Sequence, residues 1–275
     1  MDSYECAYFH DQGLIYKDVI GEGAFGKLFL VYSPHYDQSF ALKKIPESRF
    51  HKGEIECLKH ICHGNIINLY KHYSFNGHIY MLMEYCPNDL HALMENTEML
   101  PDNQLKKYIH DILCAIKTCH DKKIAHQDIK PSNFLIDKYG RIKICDFGLS
   151  NIFQDEHPSC SLCKGTLMFM APELFRNIEY NPIKADIYAL GITFFYMSTK
   201  CYPFLARNRV EFIQKVMNDP FPCYKIRNPL LRDLILRCIT REPEERYSVD
   251  ELLSHPYFKS IDCEGNTKFN DVPKT

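Results

Sequence analysis

The stretch "IAHQDIKPSNFLIDKYGRIKICDFG" (124–148) constrains this chain more than any other part of it. Two short β-type runs, "FLI" and "RIKIC", flank "DKYG", which has the composition of a tight turn. A hairpin of that size brings its two open ends together. Asn133 stands just before the first run and Asp146 just after the second. An amide oxygen and a carboxylate converging on one spot are hard ligands suited to Mg²⁺. Asp128 lies in the loop that leads into the hairpin, where its carboxylate can accept a proton from a hydroxyl. Taken singly, each of these residues is more often a turn former or a surface charge. In this order, around one hairpin, they read as a site.

The 275 residues suffice for one large domain or two small ones. Apolar residues make up 45% and charged residues 25%, the balance of a globular chain. A net charge of −2 argues against nucleic acid or a membrane surface as partner. The longest apolar run, around 187–197, is broken by Gly191 and reads as a buried helix, not a span. The start "MDSYECAYFH" is too polar for a signal peptide. The thirteen cysteines are scattered and odd in number, so we expect reduced thiols and a cytoplasmic or nuclear location.

Strand-like runs dominate the first third: 14–20, 27–32, 39–45, 66–75 and 78–85, with one helical pattern at 54–61. From residue 100 onward the periodicity is helical. In "DNQLKKYIHDILCAIKTCHD" the residues Leu105, Tyr108, Ile109, Ile112 and Ile116 share a face, and Asp102 or Asn103 is the expected N-cap. Four further helices are expected, in "ADIYALGITFFYMST", "RNRVEFIQKVMN", "LLRDLILRCIT" and "SVDELLSH". A small β-rich lobe (about 14–85) therefore precedes a larger helical lobe (about 90–258), with short tails at 1–13 and 259–275.

"IGEGAFGKLFLVY" holds Gly21, Gly23 and Gly26. Such spacing lets backbone amides approach a phosphate. Both flanks read as strands, so the turn is a hairpin and not the strand-to-helix entry of a dinucleotide site. The motif alone is equally open to a ligand-free hairpin. Lys43, seventeen residues beyond Gly26, falls on the next strand. A lysine buried there needs a carboxylate, and Glu54 on the following helix is the better candidate; Glu56 lies about 200° around that helix.

Taken together, "GEGAFG", "FALK", Glu54, "HQDIKPSN", "DFG" and "APE" (171–173) follow the order of the protein-kinase signature set. The chain resembles the eukaryotic protein kinases from about Leu14 to Phe258. "DIKPSN" and "KGTLMFMAPE" resemble the serine/threonine type, and "DFGLS" the calcium/calmodulin-dependent and AMP-activated-like group. The resemblance implies an α+β bilobal fold, protein substrates, ATP and Mg²⁺ as cofactors, and a monomer. It also implies roles. Adenine lies between Ile20, Leu28 and Ala41 above and Leu135 below, bonds the linker backbone at Glu84 and Cys86, and meets Met83 as gatekeeper. Asp89 reaches the ribose. Lys43, held by Glu54, holds the α/β-phosphates, and Asn133 and Asp146 bind the metal. Asp128 orients the substrate hydroxyl, Lys130 steadies the γ-phosphate and Thr166 contacts both. His126 and Phe147 stack with Leu58 and Leu69, and Arg246 pairs with Glu173.

Four departures stand out. The Lys43–Glu54 interval is short, and Gly53 weakens the start of its helix. Tyr188 stands where Trp is common. Ser132 and Tyr196 replace carboxylates of basophilic relatives, so selection for arginine is expected to be weak. Gln127 replaces the usual arginine before Asp128, so activity is expected without a phosphate on the activation segment. The competing expectation is a pseudokinase scaffold. His157, Cys160 and Cys163 leave a zinc site, a regulatory disulfide and ordinary thiols open.

Overall fold

The computed structural model describes residues 1–23, 26–154, 158–176 and 178–259. Five antiparallel strands form the first lobe: β1 (Ile15–Gly23), β2 (Gly26–Ser33), β3 (Gln38–Pro46), β4 (Leu69–Phe75) and β5 (His78–Glu84). Their order is β1-β2-β3-β5-β4. The glycine-rich turn is the β1–β2 hairpin, closed by Gly23 opposite Gly26, as the strand-like flanks require.

Alternation along β3 sorts the lobe into two apolar layers. Phe40 and Leu42 face outward into a cluster with Phe29, Val31, Tyr80 and Leu82. Ile45 faces inward with Ile79 and Met81, where Ile55 of helix α2 (Lys52–His60) packs. The outer layer is covered by a helix that the sequence did not announce. Residues 1–13, expected to be a tail, contain α1 (Ser3–Asp11), with a capping box between Asp2 and Glu5. Phe9, fully buried, joins the outer cluster. Tyr8, half-buried, packs beside it, and the consecutive apolar residues Cys6 to Phe9 give no helical period to read from the sequence.

Two other expectations shift. Ile66 and Ile67 do not extend β4; Ile66 bridges Ile144, and the Ile67 amide donates to the Ile144 carbonyl at 3.0 Å. They serve the junction between lobes instead of the sheet. The long helix α4 (Asp102–Asp121) starts at Asp102, after α3 (Leu90–Asn96). Its cap position is Pro101, without a side-chain bond, so Asp102 lies in the first turn at the positive helix end.

The lobes meet at the linker, where β6 (Asn88–Asp89) pairs with β8 (Phe134–Ile136), and β8 with β9 (Ile142–Ile144). β7 (Ile124–Ala125) pairs with β10 (Asn151–Ile152) at the start of the activation segment. Helix α5 (Pro182–Thr199) runs through the core, buried along most of its length, and α6 (Arg209–Asn218), α7 (Pro229–Cys238) and α8 (Val249–Leu253) complete the larger lobe. Gly191 lets α5 pass α7: a Cβ there would lie 2.5 Å from Ile239 and 2.7 Å from Cys238. The tail beyond residue 259 lies outside the described residues.

The expected Arg246–Glu173 pair is bidentate, at 2.6 and 2.7 Å, and both residues are buried. Arg246 also donates to the carbonyls of Thr240, Lys184 and Arg241. Its guanidinium lies 5.1 Å from the Tyr188 ring centroid, so Tyr188 provides the aromatic face that Trp would have offered. Arg246→Met strands the Glu173 carboxylate in the core. We expect a loss of about 3–5 kcal/mol in unfolding free energy, measured by urea titration.

Candidate active site

The cleft between the lobes has a volume of about 900 Å³. Ile20, Leu28, Ala41 and Met83 line it from the upper lobe, and Leu135 and Cys145 from below. Gly21, Gly23 and Gly26 form its lip. Gly26 has a φ of 131°, and a Cβ there would lie 2.0 Å from the Lys44 carbonyl oxygen, so only glycine fits. Cys86 and Glu84 lie on the linker edge. The Glu84 amide donates to the Asn68 carbonyl at 3.0 Å. Its carboxylate takes Lys143 at 2.8 Å and the Asn68 amide at 2.9 Å. Nothing local in the sequence singles out Lys143, whose side chain is 3% exposed and whose partner Glu84 lies fifty-nine residues earlier. Asp89, expected at the ribose, borders the cleft and also caps α3 by accepting from the Ala92 amide at 2.8 Å.

Lys43 lies on the inward side of β3. Its Nζ donates to Glu54 Oε1 at 2.7 Å and to Asp146 Oδ1 at 3.0 Å. The short interval and Gly53 do not prevent the pairing: α2 has only nine residues, yet Glu54, in its first turn, points inward and is 4% exposed. Burial alone would depress the Lys43 ammonium, but Glu54 and Asp146 together hold its pKa well above the ordinary lysine range. Burial likewise pushes Asp146 up, and the Lys43 charge and hydrogen bond outweigh it, keeping the carboxyl below its usual range. Both groups are therefore charged at neutral pH.

The catalytic-loop residues converge equally closely. Asp128 Oδ1 accepts from the Thr166 amide at 3.0 Å and the Thr166 hydroxyl at 2.8 Å. Its Oδ2 takes Lys130 at 2.7 Å and the Asn133 amide at 3.1 Å. Lys130 also donates to Thr166 Oγ1 at 2.9 Å. Asn133 Nδ2 is further tied to the Asp128 carbonyl at 2.7 Å. That orientation commits the amide nitrogen to Asp128 and turns Oδ1 away from it. Asn133 and Asp146 border the same cleft, one presenting a neutral oxygen and the other an ionised carboxylate, a donor set that fits a hard divalent cation. His126 and Phe147 stack edge-on at 5.0 Å, in the apolar core that contains Leu58 and against which Leu69 packs.

Asp186, inside α5, holds the loop from below. It accepts from the amides of His126 at 2.7 Å and Gln127 at 2.9 Å, and from His120 Nε2 at 3.1 Å. Gln127 has a φ of 64°, and its side-chain oxygen accepts from Asn151 at 2.8 Å while Nε2 reaches Cys160 Sγ at 3.8 Å. Cys160 pairs with Tyr180 across a β-bridge, and Cys163 lies 3.7 Å from the Met170 sulfur. His157 lies outside the described residues, and no cluster of three metal-binding side chains occurs among those described.

Cys145 borders the cleft, one residue before Asp146. Burial, reinforced by the Asp146 charge, pushes its thiol far above the ordinary range. Only the thiolate attacks electrophiles. Modification by a cleft-directed acrylamide is therefore expected to be slow at pH 7. It should rise about tenfold per pH unit up to pH 9 without a plateau, and ATP should suppress it. Mass spectrometry of the intact protein over that range checks this.

Several known proteins resemble the chain. It is 29% identical over 271 residues to CBL-interacting protein kinase 2 of Oryza sativa subsp. japonica, covering 93% of this chain and 60% of that protein. It is 32% identical to the probable serine/threonine-protein kinase MARK-A of Dictyostelium discoideum, covering 88% and 24%. It is 30% identical to the SNF-related serine/threonine-protein kinase of Rattus norvegicus, covering 91% and 35%. The chain thus spans between about a quarter and three fifths of the length of these relatives. Residues 8–258 match the protein kinase domain, a family that works with ATP and a divalent metal, and with that extent of match the chain belongs to it.

Proposed function

We propose that this chain is a serine/threonine protein kinase that transfers the γ-phosphate of ATP to Ser or Thr hydroxyls of protein substrates, with Mg²⁺ as its metal. One observation carries the reading: Lys43 meets both Glu54 and Asp146, at 2.7 and 3.0 Å, in a cleft bordered by Asn133, whose amide bonds the Asp128 carboxylate that also takes Lys130 and Thr166. The net charge of −2 favours protein over nucleic-acid substrates, and we take the unit to act as a monomer in the cytoplasm or nucleus.

Phosphoryl transfer of this type is mostly positioning and charge stabilisation. Mg²⁺, held by Asn133 Oδ1 and Asp146, would neutralise charge on the phosphates. Lys43 would hold the α/β-phosphates, with Glu54 fixing its ammonium from the helix side. Asp128 would orient the substrate hydroxyl and accept its proton at Oδ2, on the lone pair that Lys130 occupies here and would release. Lys130 would then face the transferring group, and the glycines would let the hairpin backbone close over the phosphates.

The finer part of the proposal is independence from activation-segment phosphorylation. The neutral Gln127 cannot form a charge-assisted fork with phosphate. Its amide already pairs with Asn151 and approaches Cys160. Ser159 donates to Glu179 at 2.8 Å, so a phosphate on Ser159 would meet a carboxylate. Ser150 is buried against the His126 carbonyl, and Thr166 is engaged by Asp128.

Asp128→Asn should abolish peptide phosphorylation and leave ATP affinity unchanged; a wild-type protein that binds ATP and transfers nothing would instead be a pseudokinase scaffold. Bacterially expressed, phosphatase-treated protein and the Ser159→Ala, Ser161→Ala double variant should both keep their transfer rate. A drop beyond about tenfold in either, ~1.4 kcal/mol of barrier, would mean that a phosphate is required.

A further inference from the structure

Helix α1 packs on the outer face of the five-stranded sheet, and it places a buried carboxylate against the strand that carries Lys43. Glu5 is 2% exposed. Its Oε1 accepts from Lys44 Nζ and from the Tyr80 hydroxyl, and its Oε2 accepts from the Asp2 amide at 3.1 Å. Both atoms are thus occupied, and the carboxyl is the meeting point of α1, β3 and β5. Burial raises its pKa, but the bonds from Lys44 and Tyr80 outweigh that and hold it below the usual range.

Lys44 connects this carboxylate to the cleft in two ways. It follows Lys43 on β3, so the two side chains leave the strand on opposite faces, Lys43 into the cleft and Lys44 toward α1. The Lys44 carbonyl is also the surface on which Gly26 rests, the contact that excludes a Cβ at 2.0 Å. Lys27 of the hairpin pairs with Lys44, and Leu28 with Lys43. Pulling Lys44 outward therefore sets the height of both the glycine hairpin and the Lys43 ammonium.

We propose that Glu5 is a positioning residue for nucleotide binding: by anchoring Lys44 from the outer face of the sheet, it fixes the glycine hairpin and Lys43 over the phosphates. This rests on the kinase reading above. A helix that merely covers apolar surface would act through Phe9 and Tyr8, and its loss would lower stability without touching the phosphate site selectively.

The test measures peptide phosphorylation by the full chain as a function of ATP concentration, with amide exchange in residues 21–27 and thermal melting alongside. Glu5→Gln keeps the shape and removes the charge. Its KM for ATP should rise about fivefold or more with kcat changed less than about twofold, the pattern of lost ground-state binding. Exchange at 21–27 should quicken while that of α4 stays as in the wild type. Tyr4→Ala, on the exposed side of α1, should change none of these. If Glu5→Gln does not fold, Lys44→Gln carries the same expectation, since it removes the other half of the pair. An unchanged KM and unchanged hairpin exchange in a folded variant, or a fall in melting temperature alone, overturns the proposal. A wild-type protein without transfer activity overturns the kinase reading instead; the hairpin exchange and direct ATP binding then still decide the role of Glu5.

Discussion

An ammonium group buried in a cleft between two lobes must be neutralised, and in this protein the neutralising carboxylates come from two different directions. Lys43 belongs to β3, Glu54 to α2 and Asp146 to the end of the β8–β9 hairpin. An unpaired charge there would be prohibitively costly, so the three elements are forced into one arrangement. Two consequences follow from that single requirement. α2 must present its first turn to the cleft, although Gly53 and an uncapped start make it a poor helix by itself. Asp146 must adopt a left-handed backbone, with φ 62°, to turn its carboxylate toward Lys43. Such a conformation costs on the order of 1 kcal/mol or more for a residue with a Cβ, and the ion pair outweighs it.

The catalytic loop shows the same economy. Gln127 also has a positive φ, and what holds it there is the buried Asp186, which accepts from two successive amides. Asp186 is fixed in turn by its place in α5, buried along most of its length. From above, Gly165 lies against the Gln127 carbonyl, and a Cβ there would come within 2.6 Å of that oxygen. Strain at the loop is therefore over-determined by packing from both sides, which is why Asp128, the next residue, keeps one orientation toward Thr166 and Lys130.

Much of this was legible in the sequence because the residues concerned announce themselves locally. The hairpin with Asn133 and Asp146 at its ends is encoded within fifteen residues, and α4 within one amphipathic run. What escaped depended on contacts between distant positions. Glu5 meets Tyr80 across seventy-five residues, and the apolar residues of α1 run consecutively from Cys6 to Phe9 and show no helical period. Lys143 reads as a solvated strand lysine until Glu84 is placed beside it. Ile66 and Ile67 look like the start of a strand because a β-type run continues into one; their backbone instead bonds Asn65–Ile67 to Ile144 across the lobes. The cap of α4 was misplaced for a different reason. Asp102 has the right chemistry for a cap, but Pro101 already supplies the extended backbone that precedes a helix, and Asp102 falls inside.

Position 127 illustrates how a local charge is matched to its surroundings. Its side chain bonds Asn151 and approaches Cys160, both neutral groups. Neither of these two side-chain partners could form an ion pair with a guanidinium. An amide suits the same space: its oxygen takes the Asn151 donor, and its nitrogen faces a sulfur that can accept weakly. Asn151 also belongs to the β7–β10 pair, so the bond that satisfies Gln127 ties the start of the activation segment to the loop bearing Asp128.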